Sequence, residues 1–134
     1  MMQDSTIVAL ATPEGAGGLA VVRLSGSQAV AIAGQVFQSR EFGGKPASHR
    51  IVYGILKYPN SSENKGCEID RCLALPMLAP RSYTGEDTVE FHCHGGRAVA
   101  RQVVAACRLA GAVPAGPGEF TRRAFLNGKL SLDQ

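Results

Sequence analysis

The chain is 134 residues long, 45% hydrophobic and 19% charged, a balance that suits one folded domain with its own core and excludes a disordered tail. Its longest apolar runs, such as LAVV and CLALPML, fall far short of the roughly 20 residues a spanning helix needs. The opening MMQDST lacks the basic-then-apolar order of a signal peptide, so a cytoplasmic protein is expected, and a formal charge of +3 permits polyanion contact without establishing it, because Lys and Arg are scattered and Trp is absent.

STIVALAT (5–12) and LAVVRLSG (19–26) are β-rich runs that the glycine loop PEGAGG joins. SQAVAIAGQVF then sets Val30, Ala33, Val36 and Phe37 at helical spacing, with Ser25 or Ser27 as N-cap. After the loop FGGKPASH, the runs RIVYGILKY and CEIDRCLALPML read as a hairpin about the polar turn PNSSENKG. A second loop, APRSYTGED, leads into the strand TVEFHCH, which Gly95-Gly96 ends. The spacing of Ala98, Val99, Val103, Ala106 and Leu109 predicts an amphipathic helix over RAVARQVVAACRLAG, with Gly111 as its C-cap. Beyond the stop AVPAGPG, EFTRRAFLNGK reads as helical through Asn127 with Gly128 as terminator, and SLDQ fits a capping box, a helix start from which a longer chain is expected.

The chemistry-bearing stretch is TVEFHCHGG. On a strand, alternate residues share a face, so Glu90, His92 and His94 point one way while Val89, Phe91 and Cys93 point the other. Two histidines and a glutamate on one face have the makings of a metal site, but a lone His-x-His is common by chance, and histidines that line or orient a ligand pocket are the better reading. Cys93 and His92 face opposite ways and cannot act as nucleophile and base. Arg23 shares a strand face with Leu19 and Val21, and Glu90 stands between Val89 and Phe91, so each charge is costly unless solvated, paired or set in a pocket. The stretch GAGG (15–18) meets neither the Walker A nor the dinucleotide pattern and reads as a tight turn. Cys67, Cys72, Cys93 and Cys107 lack any Cys-x-x-Cys pair and are expected as reduced thiols.

Three blocks, DSTIVALATPEGAGGLAVVRLSG, PRSYTGEDTVEFHCHGG and PGEFTRRAFLNGKLSLDQ, resemble the N-terminal domain of the tRNA uridine-34 modification GTPases called MnmE or TrmE. The resemblance implies an α+β fold, a tetrahydrofolate-binding domain of the aminomethyltransferase-like type, with an antiparallel or mixed sheet and two flanking helices. Residues 1–120 would form the folate-binding and dimerisation unit and 121–134 the start of a helical domain. It implies a cytoplasmic homodimer that, with its partner MnmG, adds a carboxymethylaminomethyl-type group to C5 of wobble uridine 34 of certain tRNAs. The one-carbon unit would come from 5-formyltetrahydrofolate or another one-carbon tetrahydrofolate. The matching ligand positions are Arg23, Glu90 and Lys129, with no catalytic residue and no metal in this part. GTP, Mg2+ and K+ belong to the full-length family protein, whose inserted GTPase domain and C-terminal cysteine do not occur in these residues. Where the family loop reads Pro-Pro-Gly this chain has Pro13-Glu14-Gly15, a change a turn tolerates. A free-standing folate-dependent transferase and a metal-dependent enzyme built on Glu90, His92 and His94 are the alternatives.

Overall fold

Alternation along the strands decides which side of the sheet is covered. In the computed structural model, which describes residues 5–11, 19–42, 46–60, 63 and 65–129, the order is β1 (Ile7–Leu10), β2 (Ala20–Ser25), α1 (Ala29–Val36), β3 (Phe37–Gln38), β4 (Val52–Lys57), β5 (Glu68–Met77), β6 (Thr88–Cys93), α2 (Gly96–Leu109), β7 (Val113–Pro114) and α3 (Glu119–Leu126). The strands make one mixed sheet, ordered β3-β4-β5-β6-β2-β1-β7, in which only β7 runs parallel to its neighbour. This is the expected α+β class, and both expected hairpins form, β1 with β2 and β4 with β5.

One sheet face, carrying Val22, Leu24, Val89, Phe91 and Cys93, packs with Ile32 and Val36 of α1 and Val103 and Ala106 of α2 into a single core. Full burial of a side chain such as Leu24 or Phe91 contributes roughly 1.5–3 kcal/mol. The other face carries Val21, Arg23, Glu90 and His92, all partly exposed, and continues outward through Leu73 and Tyr53, which are 42% and 60% exposed. Among the described residues no helix is long and apolar enough to cross a membrane.

Several local expectations are corrected. Phe37 is not helical: it opens β3 opposite Leu56, and its ring packs against Phe42 and Phe91 with centroids 5.3 and 5.7 Å away. Neither Ser25 nor Ser27 caps α1. Gln28 holds the cap position, its backbone N–H donating to Thr6 Oγ1 at 2.9 Å, while the Ser25 hydroxyl is buried in a side-chain network. A hydrogen bond supplied to the helix start by Thr6, just before β1, has no local sequence signature. The buried face of α2 is Ala100, Val103, Ala106 and Cys107, whereas Ala98 and Leu109 are exposed; Cys107 behaves as a small apolar residue and turns the stripe round the helix. Gly111, with φ 119°, follows the α2 C-cap residue Ala110, and Gly128, with φ 76°, follows Asn127 at the end of α3, as the terminator pattern required. The expected stop AVPAGPG contains the short edge strand β7. The GAGG turn, Pro13-Glu14-Gly15 and the SLDQ capping box lie outside the described residues.

Candidate functional site

The strand register brings the two misplaced charges together. β2 pairs antiparallel with β6 so that Arg23 stands opposite Glu90, and Val21 opposite His92. Arg23 Nε donates to Glu90 Oε2 at 2.8 Å, and its NH2 nitrogen lies 2.8 Å from the same oxygen. The other carboxylate oxygen, Oε1, meets His92 Nε2 at 3.2 Å. His92 thus orients Glu90, while His94 lies beyond the end of β6 and is exposed. Among the described residues no three His, Cys, Asp or Glu side chains are grouped as around a metal ion.

Two aromatic rings that the sequence did not single out flank the Arg23 guanidinium: Tyr83 at 5.5 Å and Phe120 at 5.2 Å from its central carbon. Tyr83 comes from the loop between β5 and β6, Phe120 from the first turn of α3, and the two are tied through the Tyr83 hydroxyl and Thr121 Oγ1 at 3.0 Å. Arg23, Tyr83, Phe120 and Thr121 line a cavity of about 370 Å³, with Ala9 opposite Arg23 on β1 leaving the space a larger side chain would fill. An aromatic-walled recess with the Arg23 cation in its lining, and Glu90 as the ion-pair partner of that cation, suits a planar, polar ligand with an anionic group.

Lys129 does not join Arg23 and Glu90 directly. Its Nζ donates to the Pro80 carbonyl at 3.0 Å, and its chain passes beside Gly85 in the same loop that supplies Tyr83. Asn127 holds that loop as well, donating to the Thr84 carbonyl at 2.8 Å.

Beneath this loop lies a polar network missed at the sequence level. Arg123, only 1% exposed, donates from Nε to Glu119 Oε2 at 3.1 Å and from one NH group to the Ser5 carbonyl at 2.8 Å and Glu86 Oε1 at 3.2 Å. The Ser25 hydroxyl donates to Glu86 Oε1 at 2.8 Å and lies 2.8 Å from Thr84 Oγ1. A buried guanidinium is tolerable only with such pairing. The network locks α3 to β2 and to the loop, which sets Phe120 and Tyr83 about Arg23. Its one sequence signal was the i,i+4 spacing of Glu119 and Arg123 in GEFTRR.

The four cysteines are free thiols, as expected, with Cys67 exposed and the others buried. Burial, and then the neighbouring Cys93, push the Cys107 thiol up to about 12. Cys72 is held well above the usual thiol range, first by its hydrogen bond with Cys93 and then by burial. These are core residues rather than reactive groups.

Comparison with known proteins matches residues 6–129 to the family described as GTP-binding protein TrmE N-terminus. A protein of Acaryochloris marina named tRNA modification GTPase MnmE is 52% identical over 99% of this chain and 29% of its own length. Proteins of the same name from a Cyanothece strain and from Geobacter metallireducens are 53% and 45% identical over 96% and 100% of the chain. The chain spans 27% and 28% of the length of those two relatives. A family match along almost every described residue, on a fold of the class the resemblance required, shows that this chain belongs to the TrmE N-terminus family.

Proposed function

We propose that this chain is the folate-binding and dimerisation part of a tRNA modification GTPase, and that a one-carbon tetrahydrofolate sits at Arg23, Glu90 and Lys129. The observation that carries the reading is the Arg23–Glu90 pair beside the aromatic-walled cavity. Arg23 directs both Nε and an NH2 nitrogen at Glu90 Oε2 and His92 meets Oε1, so the remaining lone pair of Oε1 is the one that accepts an N–H donor of a reduced pterin. Tyr83 and Phe120 supply flat apolar surface. Arg23 and Lys129 are the cations for the formyl oxygen and the anionic glutamate tail. When bound, the folate supplies the one-carbon unit; the residues of this chain bind and orient it.

The remainder follows from the family. The full-length protein would hydrolyse GTP with Mg2+ and K+ through parts outside these residues and, with MnmG, modify C5 of wobble uridine 34 in the cytoplasm. Residues 121–134 would open its helical domain. The exposed row of Tyr53 and Leu73, together with Leu19, is the apolar surface on which a homodimer would close.

Titration calorimetry with 5-formyltetrahydrofolate tests the site. Saturable binding is expected, weakened roughly 10 to 100-fold in Glu90→Gln or Arg23→Ala, as loss of one charged hydrogen-bond partner implies. Folded variants that bind as tightly as the parent would place the pocket elsewhere.

A further inference from the structure

The outer face of α2 is charged in a way the folate site does not use. The helix reads GRAVARQVVAACRL, with three arginines and no acidic residue. Arg97, Arg101 and Arg108 are all exposed, and at 100° per residue they fall within an arc of about 40° along a length of roughly 16 Å. Among the described residues no carboxylate pairs with Arg101 or Arg108. Arg97 stands in the first turn, where the helix dipole disfavours a cation, and Arg108 in the last turn, where it favours one, so the dipole accounts for only one end of the stripe.

The arginines border a groove of about 350 Å³ whose floor is Leu10, Ala100, Val104 and Ala105. Leu10, at the end of β1, also lines the cavity that holds Arg23. Groove and cavity therefore meet at one residue, on one edge of the sheet. A row of guanidiniums over an apolar floor complements a chain of phosphates carried on sugars, since each guanidinium can bind a phosphate through two parallel hydrogen bonds. An acidic protein would match the charge but not the regular spacing of anions.

We propose that the outer face of α2 docks the phosphate backbone of the RNA substrate, with Arg97, Arg101 and Arg108 as the contacts and the strand led past Leu10 toward the Arg23 cavity. This rests on the reading above that the protein serves tRNA.

The test compares the protein at its full encoded length with Arg101→Glu/Arg108→Glu and Arg101→Lys/Arg108→Lys, titrating unmodified tRNA at several salt concentrations. The glutamate variant should bind tRNA on the order of 10 to 100-fold more weakly, and its log affinity should fall less steeply with log salt, by roughly 1.5 to 2 in slope. The lysine variant should keep most of the slope, because a point charge still neutralises a phosphate. Unchanged affinity and slope in the glutamate variant would overturn the proposal. With polyglutamate titrated in parallel, so would a loss of polyglutamate binding with tRNA binding intact, which would mark an acidic-protein surface, or a shift from dimer to monomer in sedimentation, which would mark an interface between copies. 5-Formyltetrahydrofolate is titrated into the same samples. A parent that binds folate but no tRNA sinks the docking surface alone, and one that binds tRNA but no folate sinks the folate site alone.

Discussion

Arg23 and Glu90 are register partners on neighbouring antiparallel strands, and the Arg23 Nε donates to Glu90 Oε2 at 2.8 Å. Their side chains are 23% and 12% exposed, so neither charge is freely solvated. The pair is expected to couple in stability as well as in binding. Urea melts of Arg23→Met, Glu90→Gln and the double variant should return a coupling energy of about 1–3 kcal/mol, and strict additivity would deny the pair any energetic role.

Phe120 lies over the Arg23 guanidinium from the first turn of α3. Phe120→Leu keeps apolar volume and removes the π face, which is worth about 0.5–2 kcal/mol to a partly desolvated cation. Because the contact exists in the free protein, the expected result is a loss of stability of that size in urea melts and, with the Arg23 guanidinium no longer held in place, a loss of up to about 30-fold in 5-formyltetrahydrofolate affinity. An affinity equal to the parent's would show that the ring does not bear on the ligand.

Arg123 is buried between Glu119 and Glu86. Removing it strands carboxylates in the interior, so Arg123→Ala should cost about 3–5 kcal/mol in chemical denaturation. The exposed Arg122→Ala, whose ion pair with Glu119 is 3.7 Å long, should cost well under 1 kcal/mol. Equal effects would contradict the assigned network.

Two glycines should respond in opposite directions to alanine. A Cβ on Gly54 would lie 2.5 Å from both the Gln38 carbonyl oxygen and Phe37 Cζ, where β3 and the Phe37 ring close on β4. Gly54→Ala should destabilise by about 1–3 kcal/mol. A Cβ on Gly34, inside α1, meets nothing within 4 Å, so Gly34→Ala should stabilise by about 0.5–1 kcal/mol. Thermal melts that reverse this order would refute the packing described.

The thiols report on the core. Iodoacetamide should modify Cys67 rapidly in the folded protein and the other three cysteines only after unfolding, which mass spectrometry resolves. Because Cys107 is raised from 9.0 to about 12, its thiol proton is held more tightly in the folded state than in the unfolded one. That contribution is present in full below pH 9 and is lost as pH rises from there toward 12. Stability should decline over that window, and less steeply in Cys107→Ala.

The local pattern was sufficient for what depends on local pattern. Alternation in TVEFHCH placed Glu90 and His92 opposite Phe91 and Cys93, the two hairpins followed from adjacent β-rich runs, and Gly111 and Gly128 marked helix ends because left-handed backbone favours glycine. The family motifs pointed to Arg23, Glu90 and Lys129 together, but that Arg23 stands opposite Glu90 is a matter of register between segments 67 residues apart. Tyr83 and Phe120 reach Arg23 from a loop and a helix with no shared motif, and the Arg123 network joins Ser5, Ser25, Glu86 and Glu119 across the whole chain. The same holds for Thr6 accepting from the Gln28 N–H at the start of α1 and for Phe37 leaving the helix to fill the core. Hydrophobic period and turn chemistry act over a few residues and are written in the order of the chain; pairing of buried charges and packing of rings act through space, and only the closed sheet decides which distant groups must satisfy one another.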